Sequence, residues 1–174
     1  MGIRDDELKR LEKYAQGLGV KVSYKKYIKY SMDAATWATD GSEISVFTRS
    51  EKSKTDLIMD LVHELGHHLS FIYNNKEVPK KLNIALTKEM IDINPTLDQR
   101  KAILDFELLG MMYHDTIIKE VDLKIPKWKF KLENEYQKYM YTYYWKHGNI
   151  PKNNDKWIKY QQLKAKYDPK RSNK

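Results

Sequence analysis

The sequence predicts an α+β fold, in which a small antiparallel sheet with a hairpin is followed by a mostly helical region. Short alternating runs between residues 20 and 48 predict the strands, and an Asp-Gly pair at 40–41 predicts the turn that joins two of them. From residue 53 onward, apolar residues recur mainly at helical spacing. A chain of 174 residues with 41% hydrophobic content is long enough to bury one sizeable core.

Each element has a local signal. A helix is expected over about 5–16 and ends at the glycines that follow, since glycine is favoured just after a helix. Ser53 and Asp56 form a capping-box pattern that opens a helix running to Tyr73. Pro95, after an asparagine, opens the next helix. The other predicted bounds are strands over 20–24, 34–39 and 43–48 and helices over 95–121, 129–146 and 154–166.

The net charge of +8 is concentrated in the C-terminal part of the sequence. Residues 124–174 hold 14 basic and 4 acidic side chains, together with 11 of the 21 aromatic residues. Basic residues mixed with aromatics occur on nucleic-acid surfaces, but helical periodicity explains these aromatics without a ligand and favours a solvated helical face. The predicted domains are a core over 1–126 and a basic, Tyr/Trp-rich helical extension over 127–174, packed on the core.

Composition excludes several classes of protein. The chain has no cysteine, which excludes a disulfide scaffold, a thiol nucleophile and any Cys-ligated zinc or iron–sulfur site. No apolar run approaches the roughly 20 residues that cross a bilayer, and the polar, acidic N-terminus does not resemble a secretory signal. A cytoplasmic location without membrane contact is therefore expected.

One motif carries chemistry, namely His63-Glu64-x-x-His67 on the helix opened at Ser53. Histidines four residues apart differ by about 40° around a helix axis, so both imidazoles can bind one metal ion. Glu64 lies beside that face, where a carboxylate can act as general base toward a water molecule. The sequence therefore predicts a metal site with His63 and His67 as ligands.

The rest of this motif helix favours a metal site over an ordinary surface helix. Its apolar residues form one broad stripe, and His63 and His67 lie on the opposite side. Gly66 lies beside them and leaves room for a close neighbour. His68 lies at the edge of the apolar stripe and is predicted to be structural.

A catalytic zinc ion normally has three protein ligands and one open position. Without cysteine, the third ligand must be a later His, Asp or Glu. Ser70 stands where a metzincin has the glycine that precedes its third histidine, which excludes that class. The acidic candidates are Glu77, Glu89, Asp92, Asp98, Asp105 and Glu107.

Glu107 is the preferred third ligand. It shares one helical face with Gly110 and His114, and Gly110 would let this helix approach the motif helix closely. Asp105 points about 200° away from Glu107, so both cannot face the metal. Asp105 and Glu89 stay as alternatives.

These residues resemble the ImmA/IrrE-like minimal zinc metallopeptidases, gluzincin-type HExxH proteins of bacteria, phages and mobile elements. The resemblance rests on the hairpin, on Leu-Val-His-Glu-Leu-Gly-His-His at 61–68 and on the later Glu107-x-x-Gly110 helix, and it covers residues 20–126. It implies a zincin-like fold and one zinc ion per chain, held by His63, His67 and Glu107. It also implies that Glu64 is the catalytic base.

The resemblance further implies where a substrate binds. The strand over 43–48 would be the edge strand along the cleft, to which an extended peptide adds by backbone hydrogen bonds. A donor for the tetrahedral oxyanion is also needed. The candidates for that donor are Tyr113, His114, Tyr139, Tyr143 and His147.

The predicted function is zinc-dependent hydrolysis of a peptide bond in a protein substrate, which the resemblance implies is a regulatory protein such as a repressor. The alternative is a metal-containing or degenerate module that binds nucleic acid or a protein partner through the basic C-terminal region. Frequent Lys, Asn and Tyr are typical of an A+T-rich genome, as in a phage or mobile element.

Overall fold

The computed structural model describes residues 3–26, 35–48, 53–80, 82–84 and 94–169, and it confirms the α+β class. The elements in chain order are α1 (Ile3–Gly17), β1 (Lys21–Lys26), β2 (Ala35–Trp37), β3 (Glu43–Thr48), α2 (Lys54–Tyr73), α3 (Leu97–Met112), α4 (His114–Glu120), α5 (Lys127–His147) and α6 (Asn153–Tyr167).

The sheet is mixed, so the prediction of an antiparallel sheet is only partly correct. β2 and β3 form the expected antiparallel hairpin, with Trp37 opposite Ile44 and Gly41 at a φ of 76° in the turn. β1 instead pairs in parallel with β3, with Lys21 opposite Glu43. A tight turn fixes the direction of the two strands it joins, whereas nothing local fixes the direction of a strand that pairs across a longer connection.

The strand order is β1-β3-β2, so β3 is the central strand of the described sheet. The prediction that 43–48 is an edge strand along the cleft is therefore wrong. Both edges of β3 are already paired, and Ile44, Ser45 and Val46 are buried. Alternation along a strand shows which side chains face the core, but it does not show how many neighbours the strand has.

α2 begins and ends where the sequence predicted. The Ser53 side chain accepts a hydrogen bond from the Asp56 backbone N–H, and the Asp56 carboxylate accepts one from the Ser53 backbone, which completes the capping box. Asn74 caps the C-terminus, and Asn75 follows with a φ of 56°. Every residue from Leu61 to Phe71 is buried, so α2 runs through the interior.

The helix predicted over 95–121 is two helices, α3 and α4. Thr96, rather than the Asn-Pro pair before it, caps α3: its hydroxyl accepts from the Gln99 backbone N–H, and its own N–H donates to the Gln99 side chain. The break falls at Tyr113, whose N–H donates to the Gly110 carbonyl in a tightened turn. Glycine's low helix propensity accounts for a break at this place.

The chain forms two compact units. The first comprises Met1–Val78 and Leu109–Lys124, and the second comprises Pro79–Leu108 and Ile125–Lys174. The division predicted at residue 126 stays a prediction. Within the described residues, no helix combines the length and the apolar character that crossing a bilayer requires.

In the first unit, α1 holds the segment that follows α4. The Glu7 side chain is fully buried and accepts a hydrogen bond from the Lys124 backbone N–H at 2.5 Å. Arg10 donates to the carbonyls of Val121 and Asp122, which lie just past the helix end. These contacts satisfy backbone groups of the segment that follows α4. No sequence pattern predicted a buried role for Glu7.

Candidate metal centre

Two histidines and one glutamate come together inside the protein, as the sequence predicted. His63 and His67 lie on α2, and Glu107 lies on α3; their exposed fractions are 9%, 3% and 8%. One ligand atom from each residue lies within 4.8 Å of the other two. This group could hold a metal ion, and the described residues contain no second group of this kind.

The spacing of the two imidazole nitrogens is close to that of two neighbouring ligands on a tetrahedral zinc ion. The Nε2 atoms of His63 and His67 are 3.1 Å apart, and their rings are nearly perpendicular, at 84°. Ligands at about 2.05 Å in a tetrahedron are about 3.3 Å from each other. Two imidazoles and one carboxylate are also a donor set found in catalytic zinc sites, where the fourth position stays open.

Two glycines allow α2 and α3 to approach each other closely. A Cβ on Gly66 would lie 2.3 Å from the Gly110 carbonyl oxygen, and a Cβ on Gly110 would lie 2.7 Å from Nδ1 of His67. Any side chain at either position would therefore push the helices apart or displace the His67 ring. The prediction that these glycines permit a close approach is confirmed.

The other acidic candidates are differently placed. Asp105 is exposed and forms an ion pair with Lys101 one turn earlier, so its carboxylate points away from the histidines. Glu77 and Asp98 are also exposed. Glu89 and Asp92 lie outside the described residues. Of the described acids, Glu107 alone joins the two histidines.

Glu64 and His114 are two further buried polar residues near this group. Glu64 is 8% exposed and stands on α2 directly after His63. His114, the first residue of α4, is buried, and its ring centroid lies 5.4 Å from that of His63 at an interplanar angle of 76°. Its ring is not part of the three-donor group, so it lies beside the site rather than in it.

The other predicted oxyanion donors have different surroundings. Tyr113 stacks on Tyr73, with ring centroids 5.6 Å apart and planes 8° from parallel. Tyr139, Tyr143 and His147 lie on α5 in the second unit. The first unit therefore supplies His114 as the candidate that contacts a histidine of the group.

His68 has the structural position that its place on the helix predicted. Its Nδ1 accepts a hydrogen bond from Trp37 Nε1 at 3.3 Å, and its Nε2 donates to the Leu18 carbonyl at 3.3 Å. Because the indole nitrogen can only donate, these two bonds require the neutral imidazole. Burial, the largest cause, lowers the pKa of His68 below its ordinary value. Trp37 is a supporting residue that the motif-based prediction missed, although alternation in β2 places it on the core face.

The lowered pKa of His68 predicts a loss of stability in acid. In the unfolded chain, His68 has a pKa of about 6.5, and in the folded protein its pKa is lower. Below about pH 6.5 the unfolded chain therefore binds a proton more readily than the folded protein does. The stability that neutral His68 contributes is complete above that pH and is lost as the pH falls. We expect urea unfolding of chelator-treated protein to show a larger loss of stability between about pH 7.5 and 5.5 for wild type than for His68→Gln. Equal losses would show that other groups cause the acid sensitivity.

Gly66→Ala should destabilise the protein by about 2 kcal/mol or more. The new methyl group would clash with the Gly110 carbonyl, and the cost of moving the two helices apart exceeds the stability that alanine adds through its higher helix propensity. Gly17→Ala is the matched control, because a Cβ at Gly17 meets no atom within 4 Å. Thermal unfolding should therefore show a lower Tm for the first variant and an unchanged or higher Tm for the second. A Gly66→Ala protein as stable as wild type would contradict the close approach of the two helices.

Comparison with known protein families, curated proteins and solved structures finds no match to this chain.

Proposed function

We propose that this protein is a zinc-dependent metallopeptidase that hydrolyses a peptide bond in a protein substrate, as the ImmA/IrrE-like resemblance implies. The observation that carries the proposal is the buried group of His63, His67 and Glu107 with Glu64 next to the first histidine. A structural zinc site normally has four protein ligands, whereas three ligands leave a position for water or substrate.

The proposed roles follow from where the side chains lie. When bound, zinc supplies a Lewis acid that polarises a water molecule and the substrate carbonyl. Glu64 takes the proton from the attacking water and later returns one to the leaving amine. Its burial favours this role, because a carboxylate shielded from bulk water exchanges its proton with the substrate rather than with solvent.

His114 is the proposed donor to the oxyanion. Its buried ring contacts His63 and lies beside the three-donor group without belonging to it, which places an imidazole next to the proposed reaction centre. A buried N–H donor placed in advance stabilises developing charge better than one exposed to water. His114→Gln should therefore lower kcat more than it raises KM, with unchanged zinc content.

The central position of β3 changes where an extended substrate can pair. In the described sheet, β1 and β2 are the outer strands. β2 is next to the motif helix, because Trp37 donates its hydrogen bond to His68. We therefore propose the outer edge of β2, rather than β3, as the place where a peptide adds by backbone hydrogen bonds.

The proposed substrate is a regulatory protein, and the proposed setting is the cytoplasm of a cell that carries a phage or mobile element. The first part rests on the family resemblance, and the second rests on composition, including the absence of cysteine.

The test is cleavage of a proteome-derived peptide library, read by mass spectrometry, with protein that has been loaded with zinc. We expect new termini that disappear after treatment with a chelator and return when zinc is added back. Protein that binds zinc but produces no new termini above the chelated control would reject the peptidase function and leave a binding role for the metal site.

A further inference from the structure

The antiparallel hairpin of α5 and α6 has a strongly basic end in the second unit. Between residues 143 and 160 the sequence contains four lysines and one histidine, and Asp155 is the one acidic residue. None of these four lysines forms an ion pair within the described part of the chain. Their positive charge is therefore available to an external anion.

Three of these lysines form a row along α6 and its N-terminal cap. Lys156 and Lys159 are three residues apart on α6 and share one face, and Lys152 is the N-cap residue one turn before Lys156. This face is turned toward α5, because the Lys159 ammonium lies 5.4 Å from the centre of the Tyr139 ring. A lysine that is held by an aromatic ring keeps its positive charge, whereas a carboxylate partner would neutralise that charge.

An aromatic row runs along α5 beside the lysines. Tyr139, Tyr143 and His147 are spaced four residues apart, with ring centroids separated by 6.2 Å and then by 4.3 Å. The two helices run in opposite directions and are joined by a short connection, so the lysine row and the aromatic row lie side by side. Together they form an elongated surface with regularly spaced positive charge.

Trp157 adds a platform next to this surface. Its side chain is 63% exposed, and no described residue makes a ring contact with it. It directly follows Lys156 and points about 100° further around the axis of α6, so the indole lies on the face that adjoins the lysine row. Exposed aromatic rings beside a basic track are typical of proteins that bind single-stranded nucleic acid, where bases stack and phosphates meet lysines.

We propose that the α5–α6 hairpin binds single-stranded nucleic acid, with Lys152, Lys156 and Lys159 on phosphates and Trp157 stacked on a base. A duplex keeps its base faces stacked and cannot use the indole in this way, and an acidic peptide has no base to stack on it. This binding does not depend on the proposed peptidase function.

The test is fluorescence anisotropy of full-length protein with a labelled oligothymidylate of about 20 nucleotides, which exceeds a single site. The Lys152→Gln, Lys156→Gln, Lys159→Gln variant should bind at least about tenfold more weakly, and its slope of log affinity on log salt should fall in magnitude by about 2. Trp157→Ala should bind at least about fivefold more weakly. Circular dichroism confirms that each variant is folded.

A matched control removes the same charge from the other side of α5. Lys127, Lys131 and Lys138 are exposed on the face opposite the aromatic row, and their triple glutamine variant should bind within about threefold of wild type. Equal weakening by both triple variants would show attraction by net charge alone and overturn the proposal. It would also be overturned by no binding in wild type, by equal or tighter binding of a duplex, or by poly-glutamate competing as well as unlabelled oligothymidylate.

Discussion

Glu64→Gln should lower kcat for peptide hydrolysis by at least about 100-fold while the protein keeps its zinc. Glutamine has nearly the shape of glutamate and can occupy the same buried space, but it cannot accept the proton of the attacking water. The residues of the proposed metal site, His63, His67 and Glu107, are unchanged in this variant. The measurement compares the rate of cleavage of one identified peptide with the zinc content of the same samples.

A control variant at another acidic residue shows whether the loss is specific to Glu64. Glu77→Gln makes the same chemical change at an exposed position past the end of α2, and it should cleave at a rate within about threefold of wild type, since single-site effects away from the chemistry are small. Full activity in Glu64→Gln would remove Glu64 from the mechanism. If the variant instead lost its zinc, Glu64 would belong with the ligands and the assignment of the base would be wrong.

The parts of the fold that were predicted correctly depend on local chemistry. Both ends of α2 could be predicted because Ser53, Asp56 and Asn74 form hydrogen bonds with backbone groups at the helix ends, and these groups are only a few residues away in the sequence. The hairpin could be predicted because an Asp-Gly pair permits the positive φ that its turn requires. Each signal is contained in a short stretch of sequence, so no knowledge of distant neighbours is needed.

The incorrect parts depend on partners that are distant in the sequence. The direction of β1 and the central place of β3 follow from which strands pair, and alternation contains no information on pairing partners. The buried role of Glu7 depends on the Lys124 backbone more than a hundred residues away. A charged residue near a helix start is ordinarily exposed, so the sequence offered no reason to expect its burial.

The candidate metal site was more predictable than the sheet, because helical geometry converts spacing into direction. A spacing of four residues from His63 to His67 places both on one face, and a spacing of three from Glu107 to Gly110 places the carboxylate next to the close approach of two helices. The same arithmetic placed His114 near the site. It could not distinguish a ligand from a neighbour, since a break of the helix at Tyr113 changes the course of the chain just before His114.

Elemental analysis of purified wild-type protein should find about one zinc ion per chain, and His63→Ala and Glu107→Ala should each lose it or bind it far more weakly. Removing one of three ligands leaves a pair that holds zinc poorly, and affinity should fall by well over the 10–100-fold that a supporting residue typically contributes. Asp105→Ala is the control, because its carboxylate pairs with Lys101 on the surface.

The pattern of zinc loss identifies the third ligand. Loss in Glu107→Ala with full zinc in Asp105→Ala agrees with the buried three-donor group. Full zinc in Glu107→Ala with loss in Asp105→Ala would mean that α3 presents a different face to the histidines when metal is bound. A wild-type protein that takes up no zinc, even when zinc is supplied in excess, would reject the metal site and the peptidase proposal with it. Nucleic-acid binding by the α5–α6 hairpin would be unaffected by that result, because none of its residues belongs to the metal site.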